Sequence, residues 1–298
     1  MMNYNLDQEN PKKSWALIGF PWDMGASLGR PGARYAPQSI REACQWNLNR
    51  IRGGRLWDLD RNKIVDLGEV RIEDLGDIPL AAHDTIETFA GATEFIGRAL
   101  EAGQTPIILG GDHSISFPGI RALAERGPVG IIQLDAHLDL VDDSPSQGRY
   151  SQSSQIRRAL ELPGAAPGRV VQIGLRGINY PEYKEYAEEV GIHQITAAEA
   201  MAMDPKELAQ RALEWAGQDG AAIYFTLDID VLDPAVAPGA GALEFGGLSV
   251  PFVSEILRVC GPQIAAFDLA EVNPLFDHQG MTSQLAAKLI FDLLISCC

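Results

Sequence analysis

Eight stretches of this chain are apolar runs too short for helices: Trp15–Phe20, Lys63–Leu67, Pro106–Leu109, Val129–Leu134, Arg169–Ile173, Ile192–Ile195, Ala222–Leu227 and Gln263–Leu269. Several are unbroken in Ile, Val and Leu, the pattern of strands buried on both faces of a sheet. Between most of them lie helical stretches. Pro37–Trp46 places Ile40, Ala43 and Cys44 on one helical face, and His83–Leu100 does the same with Ile86, Phe89, Ala92, Ile96 and Ala99. Asp204-Pro205 is an N-cap followed by a first-turn proline, and it opens a helix through Trp215. A last helix covers Ser283–Ile295. Alternating strand and helix predict an α/β protein, a three-layer α/β/α sandwich with a mostly parallel sheet of about eight strands. No internal repeat, low-complexity tract or linker interrupts the pattern. Residues 1–298 therefore read as one domain, with 1–14 as a flexible N-terminal arm. The polar segment 142–155, rich in Ser and Gln, reads as a loop over the strand ends.

Chemistry-bearing residues crowd just past four of the runs. They are Gly110-Gly111-Asp112-His113, Asp135-Ala136-His137-Leu138-Asp139, Asp228-Ile229-Asp230 with Asp233 behind it, and Glu271 in Asp268-Leu269-Ala270-Glu271. Carboxylates and imidazoles are costly in apolar surroundings unless something offsets the cost electrostatically. A pair of divalent cations does so, and strand ends are where an open α/β sheet places its site. In Asp135-Ala-His137-Leu-Asp139 and in Asp228-Ile-Asp230 the candidate ligands alternate. They face one side if each strand continues. His113, Asp135, His137, Asp139, Asp228 and Asp230 offer two imidazoles and four carboxylates. Two metals about 3.5–4 Å apart need such a set, with bridging carboxylates and terminal ligands. Its oxygen-rich character suits Mn²⁺, with Ni²⁺ as the alternative.

Taken singly, each packet has a structural reading. His113 after a Gly-Gly turn suits a packed core histidine, an isolated Asp-x-Asp suits a strand end, and Asp112 and Asp233 suit turns or caps. Three packets together at strand ends favour the metal site. His83 and His278 read as surface or loop residues, and His193 as packing. Net charge of −16 excludes nucleic acid and anionic membranes as good partners and is compatible with a cationic substrate. Four cysteines without a CxxC motif, and no signal-peptide start, make a reducing cytoplasm the default expectation. No apolar run approaches the roughly 20 residues of a membrane span.

Three strings resemble the signatures of the ureohydrolases, the family of arginase, agmatinase, guanidinobutyrase and formiminoglutamase. They are Gly110-Gly-Asp-His-Ser114, Asp135-Ala-His-Leu-Asp139 and the long Thr226-Leu-Asp-Ile-Asp-Val-Leu-Asp-Pro-Ala-Val-Ala-Pro-Gly239. Gly19-Phe-Pro-Trp-Asp23 and Arg30-Pro-Gly-Ala-Arg34 resemble an agmatinase-type start, and Asp268-Leu-Ala-Glu-Val-Asn-Pro274 resembles the last active-site strand. The resemblance implies an arginase-like eight-stranded parallel sheet, two manganese or nickel ions, and hydrolysis of a guanidino C–N bond. It also implies a homo-oligomer, commonly a trimer or hexamer. Carried over by motif, Asp135 and Asp228 bridge the metals. His113 and Asp139 complete one site, and His137 and Asp230 the other. Glu271 anchors the substrate guanidinium. Apart from the motif, Asp139 is also a candidate catalytic residue, as one route for the proton of the attacking water.

Two departures bear on the substrate. Relatives acting on alkylguanidines carry a histidine in a Tyr-Ser-His-Gly context before Arg-Arg-Ala. Here Tyr150-Ser-Gln-Ser-Ser-Gln-Ile-Arg-Arg-Ala159 puts Gln152 at that place, as a catalytic and substrate-binding residue. The family's Pro-Gly-Thr-Gly-Thr-Pro becomes Pro238-Gly-Ala-Gly-Ala-Leu243, so the pocket wall gains Ala242 and loses hydroxyls. Both changes argue against arginine or agmatine. They suit a small guanidine, an alkylated guanidine or a biguanide such as metformin. Other readings are agmatinase or guanidinobutyrase activity, formiminoglutamate-type hydrolysis, a single-zinc deacetylase of similar fold, and a partner subunit of a mixed oligomer. Metal count separates the deacetylase reading.

Overall fold

The structure is a computed structural model that describes residues 13–26 and 29–298. Ten strands are present among these residues: β1 (Lys13–Gly19), β2 (Arg55–Asp58), β3 (Lys63–Asp66), β4 (Val70–Asp77), β5 (Thr105–Leu109), β6 (Val129–Leu134), β7 (Ala165–Leu175), β8 (His193–Thr196), β9 (Ala222–Asp228) and β10 (Ile264–Ala270). Eight form one sheet in the order β4-β1-β5-β10-β9-β6-β7-β8, and every pairing in it is parallel. The helices are α1 (Ala36–Leu48), α2 (Thr85–Glu101), α3 (Ser116–Ala124), α4 (Gln155–Ala159), α5 (Pro181–Val190), α6 (Ala197–Met201), α7 (Pro205–Ala216), α8 (Val250–Cys260) and α9 (Met281–Ile295).

Strand alternation sorts the core into two layers. Trp15, Leu17, Ile107, Leu109, Phe225, Leu227, Phe267 and Leu269 face α1, α7, α8 and α9. Ala16, Ile18, Ile108, Ile131, Val170, Tyr224 and Ala266 face α2, α3, α4 and α5. The three-layer sandwich predicted from the alternating pattern is therefore observed. A fully buried aromatic such as Phe225 or Phe89 contributes about 1.5–3 kcal/mol relative to exposure. Such packing on both faces holds the central strands rigid, and their ends with them. No helix among the described residues is long and apolar enough to cross a membrane.

Helix starts follow their local chemistry. Asp84 caps α2 by accepting from the backbone N–H groups of Ile86 and Glu87. Asp204 caps α7 in the same way, with Pro205 in the first turn as predicted. Ile86, expected on the buried face of its helix, is 56% exposed, because the buried face begins one turn later at Phe89.

One predicted strand lies elsewhere. Lys63–Asp66 pairs antiparallel with β2 in a separate hairpin, where only Val65 of its four residues is buried. The edge of the main sheet is taken instead by β4, whose buried Val70 and Ile72 alternate with the polar Arg71 and Glu73. An edge strand covered on one face alternates in polarity, so it lacks the unbroken apolar run that marks central strands. Lys13 and Ser14, assigned to an N-terminal arm, begin β1, and the rest of that arm lies outside the described residues.

Candidate metal centre

The four strands that carry the chemistry are contiguous at the centre of the sheet, in the order β5-β10-β9-β6. Their carboxyl ends bring His113, Glu271, Asp228 with Asp230, and Asp135 with His137 and Asp139 around one crevice. The ligands do not converge by strand alternation, however. β6 ends at Leu134, and the chain then turns so that the Asp135 carboxylate accepts from the His137 backbone N–H at 2.7 Å. Asp228 closes β9 and accepts from the Asp230 N–H at 2.8 Å, starting a short 3₁₀ turn. Short aspartate side chains favour such local turns over continued ladder pairing. Asp139 and Glu271 adopt left-handed backbone conformations, with φ of 53° and 65°. Strained non-glycine residues of this kind cluster at functional sites. Before His113, a side chain at Gly111 (φ 154°) would strike the carbonyl groups of Phe20 and Trp22. Asp112 then caps the His113 turn and also accepts from the Gly25 N–H, the turn role predicted for it.

Two three-residue groups emerge, His113–Asp135–Asp228 and Asp135–His137–Asp230, and Asp135 belongs to both. The His113 Nδ1 atom lies 2.9 Å from Asp135, 3.1 Å from Asp139 and 3.1 Å from Asp228. His137 Nδ1 lies 3.0 Å from Asp230 and 3.4 Å from the other oxygen of Asp135. Asp139 thus stands on the His113 side and Asp230 on the His137 side, as the motif reading expects. Asp135 spans the two groups through its two oxygens. Asp228 joins the His113 group through one oxygen, and its other oxygen accepts from the backbone N–H of Asp230.

Whether these residues fit cations is decided by His113. Its Nε2 meets the Thr226 hydroxyl at 2.7 Å, and that hydroxyl donates to Asp268 at 2.6 Å. With its one proton given to Asp268, the Thr226 oxygen accepts from Nε2–H. In the neutral imidazole, the form that binds a cation, Nδ1 then carries a lone pair. This buried atom has no aligned hydrogen-bond partner, although three carboxylates surround it. A lone pair facing three carboxylates is the donor set of a cation, and the residues fit one.

The charge balance agrees. Burial pushes the Asp139 carboxyl up to about 7, with the Asp135 charge adding to it. Asp228 is held well above the carboxylate range by burial and by Asp230 and Asp135. Burial would also lower the two histidines, but the surrounding carboxylates outweigh it and hold both above their ordinary value. The field that would retain extra protons here is one that divalent cations neutralise.

A buried amide network supports the ligands. Gln133 Nε2 donates to Asp135 at 2.6 Å and to Asp139 at 3.1 Å, and Gln155 donates to Asp139 as well. Gln172 donates to Gln133, and Gln194 to Gln172. Sequence reasoning missed this chain, together with Thr226 and Asp268 as orienting groups. One signal was present: Gln133 and Gln172 are lone amides inside otherwise apolar strands. His193 stacks on Trp215 with ring centroids 4.1 Å apart, and His83 and His278 are exposed, in keeping with their non-ligand readings.

A cavity of about 330 Å³ opens on this cluster. Its walls include His113, His137, Asp139, Asp228, Asp230, Glu271, Gln152, Ser153 and Ala242, so every predicted site residue but Asp135, buried behind, borders one space. Gln152 is held there by its backbone N–H, which donates to the Gly25 carbonyl at 3.0 Å, and its Oε1 is buried without a partner. Glu271 accepts from the His113 backbone N–H at 2.8 Å, and no Lys or Arg among the described residues pairs with it. Burial, and then Asp112, hold its carboxyl well above the ordinary range. A side chain at Gly241 would collide with this carboxylate, so the glycine leaves Glu271 room.

Two adjoining cation sites that share an aspartate, set at the strand ends of an all-parallel α/β/α sandwich, define a candidate binuclear metallohydrolase. Comparison with known proteins makes the class particular: residues 13–296 match the model of the arginase family, and the chain belongs to that family. It is 35% identical to a guanidinopropionase of Pseudomonas aeruginosa over 93% of this chain and 85% of that one. It is also 35% identical to a mitochondrial agmatinase of Gallus gallus, over 94% of this chain and 79% of that one. Among solved structures, the proclavaminate amidino hydrolase of Streptomyces clavuligerus superposes with a TM-score of 0.80 at 33% identity, covering 97% of this chain and 92% of that one. The chain is a hydrolase of the ureohydrolase kind, with agmatinase-like relatives.

Proposed function

We propose that this chain hydrolyses the C–N bond of a guanidino compound, releasing urea or a substituted urea and an amine. The observation that carries the reading is the unpaired, buried Glu271 carboxylate on the wall of the cavity that holds the two cation sites. A planar guanidinium is the cation such a carboxylate binds best, through two parallel N–H···O bonds.

His113, Asp135, Asp139 and Asp228 would hold one ion, and Asp135, His137, Asp230 and a second contact from Asp228 the other, with Mn²⁺ favoured over Ni²⁺ by the donor set. When bound, two such ions would supply an acidified water as nucleophile and offset negative charge on its oxygen. Glu271 orients the guanidinium so that its carbon faces that water. The new C–O bond forms as the C–N bond breaks, and the water's proton must reach the departing nitrogen. Asp139, held by the amides of Gln133 and Gln155, is placed to carry it. Gln152 borders the same space and accepts a hydrogen bond from a substrate N–H through its free Oε1. An amide cannot change charge near neutral pH, so Gln152 positions the leaving nitrogen without protonating it.

Loss of that proton donor disfavours a strongly basic leaving amine, and the Ala242 wall offers no hydroxyl to a polar tail. The reading therefore favours a compact or alkylated guanidine over arginine or agmatine. The complete ligand set favours catalysis by this chain over a purely partner role in a mixed oligomer. The test is to load the purified chain with manganese or nickel and assay urea, ammonia and amine release from a panel of guanidino compounds. Turnover of an alkylguanidine above that of agmatine supports the reading, and agmatine or arginine as the best substrate contradicts it.

A further inference from the structure

The space available to a substrate does not end at the metal centre. His137, Asp139 and Ser153 also border a second cavity of about 580 Å³, with Leu138, Val141, Ile178, Tyr180 and Tyr183 among its walls. Val141, Ser153, Tyr180 and Tyr183 border in turn a third, of about 640 Å³, whose outer rim is polar, with Ser144, Gln147 and the exposed Asp143 and Glu182. Tyr180 and Tyr183 meet edge to face, with centroids 5.6 Å apart, as one aromatic wall.

We propose that this channel receives the non-reacting end of the substrate and selects an uncharged alkyl or aryl substituent on the guanidino nitrogen. The inference rests on the guanidino-hydrolase reading above. Aliphatic and aromatic walls next to the reacting site favour apolar groups removed from water. No Lys or Arg among the described residues lines any of the three cavities. Arg30 donates to the Pro238 and Ala240 carbonyls, and Arg176 to those of Val231, Leu232 and Glu244. A carboxylate tail would lose its hydration without gaining a cation and would face Asp143 and Glu182. An ammonium tail meets those two carboxylates only where they are exposed to water, and such pairs bind weakly.

Titration calorimetry on the manganese-loaded chain with butylguanidine, guanidinobutyrate and agmatine compares three tails on one head group. Butylguanidine should bind tighter than either of the others by about tenfold. Ile178 is fully exposed, so Ile178→Arg leaves packing intact while adding a cation to the channel. That variant should tighten guanidinobutyrate by about two- to fivefold and leave butylguanidine unimproved. Guanidinobutyrate or agmatine binding as tightly as butylguanidine, or a tail order indifferent to Ile178→Arg, overturns the proposal. Urea release is followed in parallel. If the tail order holds while no urea appears, the channel stands and the hydrolase reading falls.

Discussion

The two halves of the site are built on different foundations. The ligand half rests on four adjacent strand ends in the middle of the sheet. Thr226, Asp268, Gln133 and Gln155 fix its side chains, and all of these are buried. The half proposed to take the substrate rests on connections. Gln152 and Ser153 lie in the loop before α4, Ala242 lies between β9 and α8, and Ile178 and Tyr180 lie between β7 and α5. Ile178 and Tyr180 are largely open to solvent, whereas Asp135 is fully enclosed. A rigid scaffold holding the reactive groups, with loops around it, lets the reaction stay constant while the substrate changes. That division matches a chain sharing its family with relatives named for guanidinopropionate, agmatine and proclavaminate.

The division can be broken most severely from the ligand half. Asp135→Ala removes a carboxylate that belongs to both cation groups, so metal content should fall to near zero and activity below detection. His113→Ala should lose mainly one ion. Metal analysis of both variants checks the contrast, and equal losses would refute the sharing of Asp135. Chelation is the next largest effect. A bound ion in large excess over its dissociation constant stabilises by about 4 kcal/mol, which for a chain this size lowers the melting temperature by roughly 5–10 °C on removal. Calorimetry with and without chelator measures the drop, and readdition of Mn²⁺ should restore it.

Glu271→Gln tests the junction of the halves. Metal content should be unchanged. Turnover of a guanidinium substrate should fall by roughly tenfold to a hundredfold, in line with the roughly 1.5–3 kcal/mol of a charge-assisted contact. Activity within a factor of about two of wild type would remove Glu271 from substrate binding. Thr226→Val takes away the acceptor that orients His113 and should weaken metal affinity by about 10–100-fold with both sites still fillable. The smallest effect on rate is expected in the substrate half. Gln152→His should change the ranking of substrates, raising agmatine relative to alkylguanidines, with metal content untouched. Unchanged kcat/KM for every substrate would show that Gln152 faces the cavity without contributing to its selectivity.

The two halves also differ in how far the sequence displays them. Ligands come in short packets after unbroken apolar runs, and both the run and the packet are local signals. His113, Asp135, His137, Asp139, Asp228 and Asp230 could therefore be named as candidate ligands before any geometry. The way they converge could not, because the tight turns after Leu134 and Asp228 replace the strand alternation their spacing suggests. Gln133 and Gln172 stayed hidden because one amide in an apolar strand leaves the periodicity unchanged. β4 was overlooked because an edge strand alternates in polarity, and the Lys63–Leu67 run was assigned its place. In the substrate half, Gln152 was visible only by comparison with a family pattern. What turns it toward the ligands is a tertiary pin, Gln152 to Gly25 to Asp112, spanning residues far apart in sequence. Ile178 and Tyr180 carry no local mark of a channel, because their role comes from β7 lying next to β6 in the sheet.

The central claim is that six ligands, Asp135 and Asp228 contacting both ions among them, hold two ions in each chain. Elemental analysis of protein purified with Mn²⁺ and passed through a desalting column, paired with an independent protein quantification, tests it most directly. The account predicts two divalent ions per chain in the wild type, falling to near zero in Asp135→Ala. A single ion per wild-type chain, zinc above all, would contradict it.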